Sequence, residues 1–224
     1  QLLGVTVREL ISDAELQAKG MEKVAQRCDS LASVSMMDLS VEAEAFGATV
    51  HVPEDEVPAV TGQLVGSMEE AQALQIPEVG AGRTGIYISA MEKAVERIAD
   101  RPVFAGVIGP FSLAGRLMDM TEIMVNCYIE PEMVHAVLDK AAQFIKGYIL
   151  GFKKVGANGV VVAEPAAGLL SPDLNKEFST PYVRNIIDAV SDETFAVIYH
   201  NCGNVIPLMP VSYTHLRAHE TAAN

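Results

Sequence analysis

Phe195-Ala196-Val197-Ile198-Tyr199-His200-Asn201-Cys202-Gly203-Asn204 is an apolar run that breaks abruptly into polar residues and glycine. A run of that length, rich in β-branched and aromatic residues and ended by such punctuation, predicts a buried strand reaching its C-terminal end. In α/β folds built on parallel strands, chemistry is mounted at those ends and on the loops that follow them. An imidazole and a thiol two residues apart, His200 and Cys202, can converge there on one metal ion. The plainer reading is a histidine bonded to backbone and a packed cysteine, because His-x-Cys alone is a weak metal signal.

Working upstream, the same pattern recurs. Gly159-Val-Val-Val-Ala-Glu-Pro-Ala-Ala-Gly predicts a strand with Glu164 at its end, either facing a mouth shared with His200 or capping the next segment. Val103 to Ile108 predicts another strand, which breaks at Gly109-Pro110 and turns into a helix start at Ser112. That turn brings backbone N–H groups and Arg116 towards the mouth, where they can hold an anionic group, unless Arg116 is a plain surface residue. Leu31 to Leu39 reads as the first strand, with Asp38 near its end.

Helical segments separate these strands. Residues 7 to 27 predict two helices divided at Ser12-Asp13 and lying outside the core. Ser67 caps a short helix, and Arg83 to Ala99 forms another that buries Ile88, Met91, Val95 and Ile98. Pro131 to Phe152 carries the widest apolar stripe (Met133, Val134, Val137, Leu138, Ala141, Phe144, Ile145, Tyr148), with Gly156 as its stop. Ser171-Pro172 and Thr180-Pro181 each read as an N-cap followed by proline at the first helical position. Gly47 to Pro53 and Glu56 to Thr61 are short extended pieces that their prolines confine to edges or to a hairpin over the mouth. His51 there reads as an exposed strand histidine, His135 as structural, and Cys127 and Cys28 as buried small hydrophobes.

Four strands alternating with helices, each ending in polar or Gly-rich residues, predict an α/β architecture that is half of an eight-stranded parallel barrel. Composition agrees, since 224 residues with 50% hydrophobic content suffice for one large domain. A net charge of −13 without a Lys/Arg cluster argues against a nucleic-acid surface and against anionic membranes. The expected partner is a small molecule or another protein. Three widely spaced cysteines form no disulfide framework and suit a reduced compartment, so cytoplasm is expected. No apolar run approaches the roughly 18 residues of a membrane helix, and no signal pattern opens the chain. The first residue is Gln rather than Met, so the natural start is expected upstream. Residues 211 to 224 have no barrel periodicity and are read as an artefactual tail; His215 and His219, though spaced like helical ligands, are set aside with it.

Asp38-Leu-Ser-Val-Glu-Ala-Glu-Ala-Phe-Gly, Gly109-Pro-Phe-Ser-Leu-Ala, Glu164-Pro-Ala-Ala-Gly-Leu-Leu-Ser-Pro and His200-Asn-Cys-Gly-Asn stand in the order seen in the uroporphyrinogen decarboxylase superfamily. The chain resembles that superfamily over roughly residues 2 to 210, and His200-x-Cys202 is similar to its branch of zinc-dependent, corrinoid-linked methyltransferases. The resemblance implies a (β/α)8 TIM barrel of which residues 1 to 210 hold about the first half, strands one to four. It implies zinc held by His200 and Cys202, a third ligand beyond the end of this chain, and Glu164 as a nearby ligand or supporting carboxylate. A methyl group would move between a methylcobamide, carried by a corrinoid protein, and a thiol acceptor such as coenzyme M. Asp38 matches the carboxylate with which the decarboxylases hold pyrrole N–H groups; here it would orient substrate, with Arg116 as a further substrate-binding residue. The alternatives are a metal-free decarboxylase relying on Asp38, and a corrinoid-binding partner without turnover. A half barrel leaves two sheet edges and an unfinished core, so residues 1 to 210 in isolation are expected to aggregate or stay unfolded. A cooperative thermal transition for that segment would contradict this.

Overall fold

The computed structural model describes residues 2–202 and 206–208. Gly203, Asn204, His215, His219 and the segment read as a tail lie outside the described residues. In chain order the elements are α1 (Val7–Ser12), α2 (Ala14–Arg27), β1 (Ser33–Val34), α3 (Val41–Ala45), β2 (Thr49–His51), β3 (Ala59–Thr61), α4 (Met68–Ala73) and α5 (Thr84–Arg97). They continue as β4 (Val103–Ile108), α6 (Pro110–Met118), α7 (Met120–Ile129), α8 (Pro131–Lys154), β5 (Gly159–Ala163), a 3-10 turn (Pro165–Leu169), α9 (Pro172–Phe178), α10 (Thr180–Val190), β6 (Ala196–His200) and a second 3-10 turn (Ile206–Leu208).

β1, β4, β5 and β6 form one parallel sheet in that order, each strand joined to the next through helices. Register places Val34, Phe104, Gly159 and Ala196 at one level, Gly106, Val161 and Ile198 at the next, and Ile108, Ala163 and His200 at the C-terminal end. Because side chains alternate across a strand, these residues share one face and Val103, Ala105, Val107, Val160, Val162 and Val197 share the other. The second set joins the core beneath the helices. On the first face Val34 and Ile198 remain 45% and 46% exposed, as expected of the inner wall of a barrel described only in part.

α8 supplies most of the helical side of that core. All eight residues of its predicted stripe are buried, and Ile149 and Phe152 extend it. Pro131 occupies the first turn, and Gly156, at φ +97°, terminates the helix while its N–H donates to the Lys153 carbonyl (3.1 Å). Asp13 caps α2 by accepting from the Glu15 and Leu16 N–H groups, which divides the N-terminal segment where the sequence predicts. Asp119, at φ +71°, separates α6 from α7 and caps α7 with its carboxylate. β2 and β3 form the expected antiparallel hairpin, with His51 exposed on it.

Several expectations need correction. The first strand is two residues long rather than spanning Leu31 to Leu39, because the Ser35 hydroxyl accepts the Gly106 N–H (2.9 Å) and replaces the next backbone acceptor of the ladder. Asp38 therefore lies in a loop ahead of α3, a helix that the strand reading overlooked. Ser179 rather than Thr180 stands ahead of α10, so Thr180 is the first helical residue. Cys127 is buried, but Cys28 is exposed: it follows the last turn of α2, donating its N–H to the Val24 carbonyl while its side chain meets solvent. No helix among the described residues is long and apolar enough to cross a membrane.

Phe144 is 1% exposed and meets Phe46 edge-on at a centroid distance of 5.3 Å, joining α8 to the segment behind β1. Phe144→Ala in the full-length protein is expected to lower unfolding free energy by about 3–5 kcal/mol, read from urea midpoints at unchanged slope.

Candidate functional site

The C-terminal ends of the four parallel strands collect the polar groups of the site. At the end of β6, His200 Nε2 and Cys202 Sγ lie 3.0 Å apart, and both residues are exposed. The register that aligns His200 with Ala163 and Ile108 directs its side chain to the inner face. Glu164 extends the β5–β6 ladder by donating its backbone N–H to the His200 carbonyl (2.8 Å), which holds the two loops at one height. A borderline nitrogen and a thiol converging from one strand end suit zinc, whose tetrahedral geometry sets such a pair roughly 3.5 Å apart. The 3.0 Å separation is within a small side-chain adjustment of that spacing. Among the described residues no group of three or more His, Cys, Asp or Glu side chains is gathered for a metal, so the pair offers two donors of a larger set.

Glu164 is fully buried. Its carboxylate accepts the backbone N–H groups of Phe111 (3.1 Å) and Ser112 (2.6 Å), the first turn of α6. The anionic group expected at the Gly109-Pro110 turn is thus this chain's own glutamate. Gly109 is what allows the approach, because a Cβ there would overlap the Glu164 carboxyl group. Burial pushes the Glu164 pKa up to about 7 against the opposing bonds from Ser112 and Phe111. Arg116 does not join this turn. It occupies the last turn of α6 and makes no hydrogen bond or ion pair among the described residues.

Asp38 anchors a second buried cluster. Its Oδ1 accepts from the Ser40 N–H (3.0 Å) and the Ser40 hydroxyl (2.6 Å), and its Oδ2 from the Arg83 guanidinium and the Tyr87 hydroxyl (3.4 Å). Arg83 also donates to the Ser40 hydroxyl (3.0 Å) and to Glu44 (2.5 Å). The acceptor positions of Asp38 are therefore met from inside the protein. Glu42, on α3, accepts the Ile108 N–H (3.0 Å) at Oε1, while its buried Oε2 has no partner. Burial raises the Glu42 pKa to about 7, with the Ile108 bond opposing and the Asp38 charge adding to the rise. His135, expected to be structural, bonds Tyr182 (2.7 Å) and stacks on Phe178.

Ser40, Glu42, Arg83 and Tyr87 were not singled out from sequence. Arg83 stands 45 positions from Asp38, and only folding shows that one guanidinium bridges Asp38 and Glu44. Glu42 had a local signal, a charged residue in a short helix of small and apolar residues that also holds Glu44, but its burial follows from α3 packing against α5 and α6.

Glu42 gives a pH prediction. Its folded pKa of about 7 lies above the reference value of 4.5, so the folded state holds the proton more tightly. The associated stability is fully present below about pH 4.5 and is lost as pH rises through about 7. Glu42→Gln, which keeps an acceptor for Ile108 and carries no charge, is expected to stabilise the full-length protein at pH 8 by up to about 3 kcal/mol and to have little effect at pH 4.5. Urea titrations at the two pH values measure the difference.

Comparison with known proteins agrees with this geometry. The sequence matches the uroporphyrinogen decarboxylase (URO-D) family over residues 1–217. It is 28% identical over 171 residues to the methylcobamide:CoM methyltransferase MtbA of Methanosarcina acetivorans, an alignment covering 75% of this chain and 50% of that protein. It is 27% identical over 191 residues to the uroporphyrinogen decarboxylase of Aeromonas salmonicida, covering 82% of this chain and 53% of that one. A solved methyltransferase from Methanosarcina mazei superposes with a TM-score of 0.84 at 24% identity over 92% of this chain and 61% of its own, which supports the fold. The chain thus spans about half the length of the curated relatives it matches. Together with the four parallel strands and their polar ends, the match over nearly the whole sequence establishes that this chain belongs to the uroporphyrinogen decarboxylase family.

Proposed function

We propose that the protein to which this chain belongs is a zinc-dependent methyltransferase that moves a methyl group between a methylcobamide and a thiol acceptor such as coenzyme M. The carrying observation is the His200–Cys202 pair at the end of β6, exposed on the inner face with its two donor atoms 3.0 Å apart. His200 Nε2 and Cys202 Sγ would hold the ion, and a further ligand is expected outside the described residues. A bound zinc supplies one piece of chemistry, lowering the pKa of a thiol in its open position so that a thiolate is available near neutral pH. The chain's own residues supply positioning. Glu164 seats the first turn of α6 on the β5 loop, and the Asp38–Arg83 cluster stiffens the end of β1. We assign Asp38 and Glu164 to supporting the mouth rather than to proton transfer, and leave Arg116 without a role in substrate binding. The methyl-bearing partner is a corrinoid protein, and cytoplasm is the expected compartment.

The second reading, a metal-free decarboxylase, draws support from relatives with that name. It needs the Asp38 carboxylate free to receive pyrrole N–H groups. The internal donors on both of its oxygens weigh against that.

Zinc content and methyl transfer from methylcobalamin to coenzyme M test the proposal in the full-length protein. About one zinc per chain is expected, with Cys202→Ser and His200→Ala each weakening zinc binding by at least about 10–100-fold and removing methyl transfer. A metal-free protein that keeps its activity in Cys202→Ser, or that releases carbon dioxide from a uroporphyrinogen, would overturn it.

A further inference from the structure

The 3-10 turn Pro165–Leu169 follows Glu164 and packs against the loop that carries the His200–Cys202 pair. Its contact point is Gly168. A side chain there would overlap the backbone carbonyl oxygen of Cys202, and its Cβ would stand 3.0 Å from Asn201 Oδ1. The φ of Gly168 is not in the left-handed region, so the glycine is required for space rather than for conformation. Because the closest of these contacts is a backbone carbonyl rather than the end of a flexible side chain, an added methyl must move the Cys202 peptide.

The turn itself has little freedom to retreat. The Ala166 N–H donates to the Ser112 hydroxyl (3.0 Å), tying the turn to α6. The Ala167 carbonyl accepts from the Leu170 N–H (3.2 Å) and from the Asn175 amide (3.3 Å), and Asn175 accepts from the Thr180 hydroxyl (2.9 Å). Asn175 and Thr180 are both buried, so the turn is backed from α9 and α10. The strain of a methyl at position 168 is therefore passed to the Cys202 side of the contact.

We propose that Gly168 is a positioning residue for Cys202, setting the height of its peptide so that Sγ meets His200 Nε2. Ser112 acts on the same pair from the other side of the turn, through its bond to Ala166. The proposal rests on the zinc reading above and adds to it two residues that touch neither metal nor substrate.

The test uses full-length protein, wild type and carrying Gly168→Ala, Ser112→Ala or Leu169→Ala. Leu169 is 71% exposed on the same turn and serves as the control. Zinc affinity is measured by competition with a chromophoric chelator, and thiolate coordination by the charge-transfer absorption of the cobalt(II)-substituted protein. Gly168→Ala is expected to weaken zinc binding at least about tenfold, in the range of substitutions that act through a metal ligand, and to reduce the cobalt–thiolate band in a protein that still unfolds cooperatively. Ser112→Ala is expected to weaken binding in the same direction by a smaller factor, and Leu169→Ala to stay within about twofold of wild type. Unaltered zinc affinity and cobalt spectrum in Gly168→Ala would overturn the positioning role while leaving the zinc reading intact. Should Gly168→Ala fail to fold, Ser112→Ala decides: a wild-type spectrum and affinity there overturn the proposal. Wild-type protein that binds no zinc through Cys202 overturns the zinc reading itself, and this proposal with it.

Discussion

A buried carboxylate at a helix N-terminus holds the described part of this barrel together at the end where chemistry is mounted. Glu164 leaves β5 and accepts the first N–H groups of α6, so one side chain joins the third strand of the sheet to the turn after the second. A helix start leaves its first amide groups without intrahelical partners, and a carboxylate satisfies them while matching the helix dipole. The arrangement requires Gly109 without a side chain and a group held entirely away from water. Burial raises the pKa of Glu164, and the hydrogen bonds that make its placement useful oppose that rise.

From this anchor the geometry spreads sideways. The backbone of Glu164 completes the ladder to His200, and the turn beyond it meets the Cys202 carbonyl at Gly168. On the other flank Glu42 reaches from α3 to the Ile108 N–H at the end of β4. The β4–α6 turn is thus gripped by a carboxylate from each side. Burial pushes both carboxyl groups up from the ordinary carboxylate range, to about 7. The Asp38–Arg83 pair completes the rim at β1. An ion pair buried to this degree is strongly destabilising when one partner is removed, whatever its net worth, so Arg83 and Asp38 stand or fall together.

The division between inner wall and outer core follows from strand alternation. Residues facing the helices are closely packed, whereas Val34, Ile198 and His200 on the other face remain open. Under the proposed zinc reading, that openness would leave His200 and Cys202 within reach of a substrate.

Much of this was written in the sequence. Strand β4 was predicted over its observed span, the stripe on α8 is buried as read, and the terminal His-x-Cys lies at the end of its strand, because apolar periodicity and Pro/Gly punctuation act over a few residues and leave a local trace. Tertiary structure alone decided that β1 stops at Val34, that the Asp38 carboxylate meets Arg83, and that the anion at the α6 turn is Glu164. Each of those outcomes depends on a donor and an acceptor tens of residues apart. Burial makes such groups find partners, and no local pattern in the chain says which partner will be within reach.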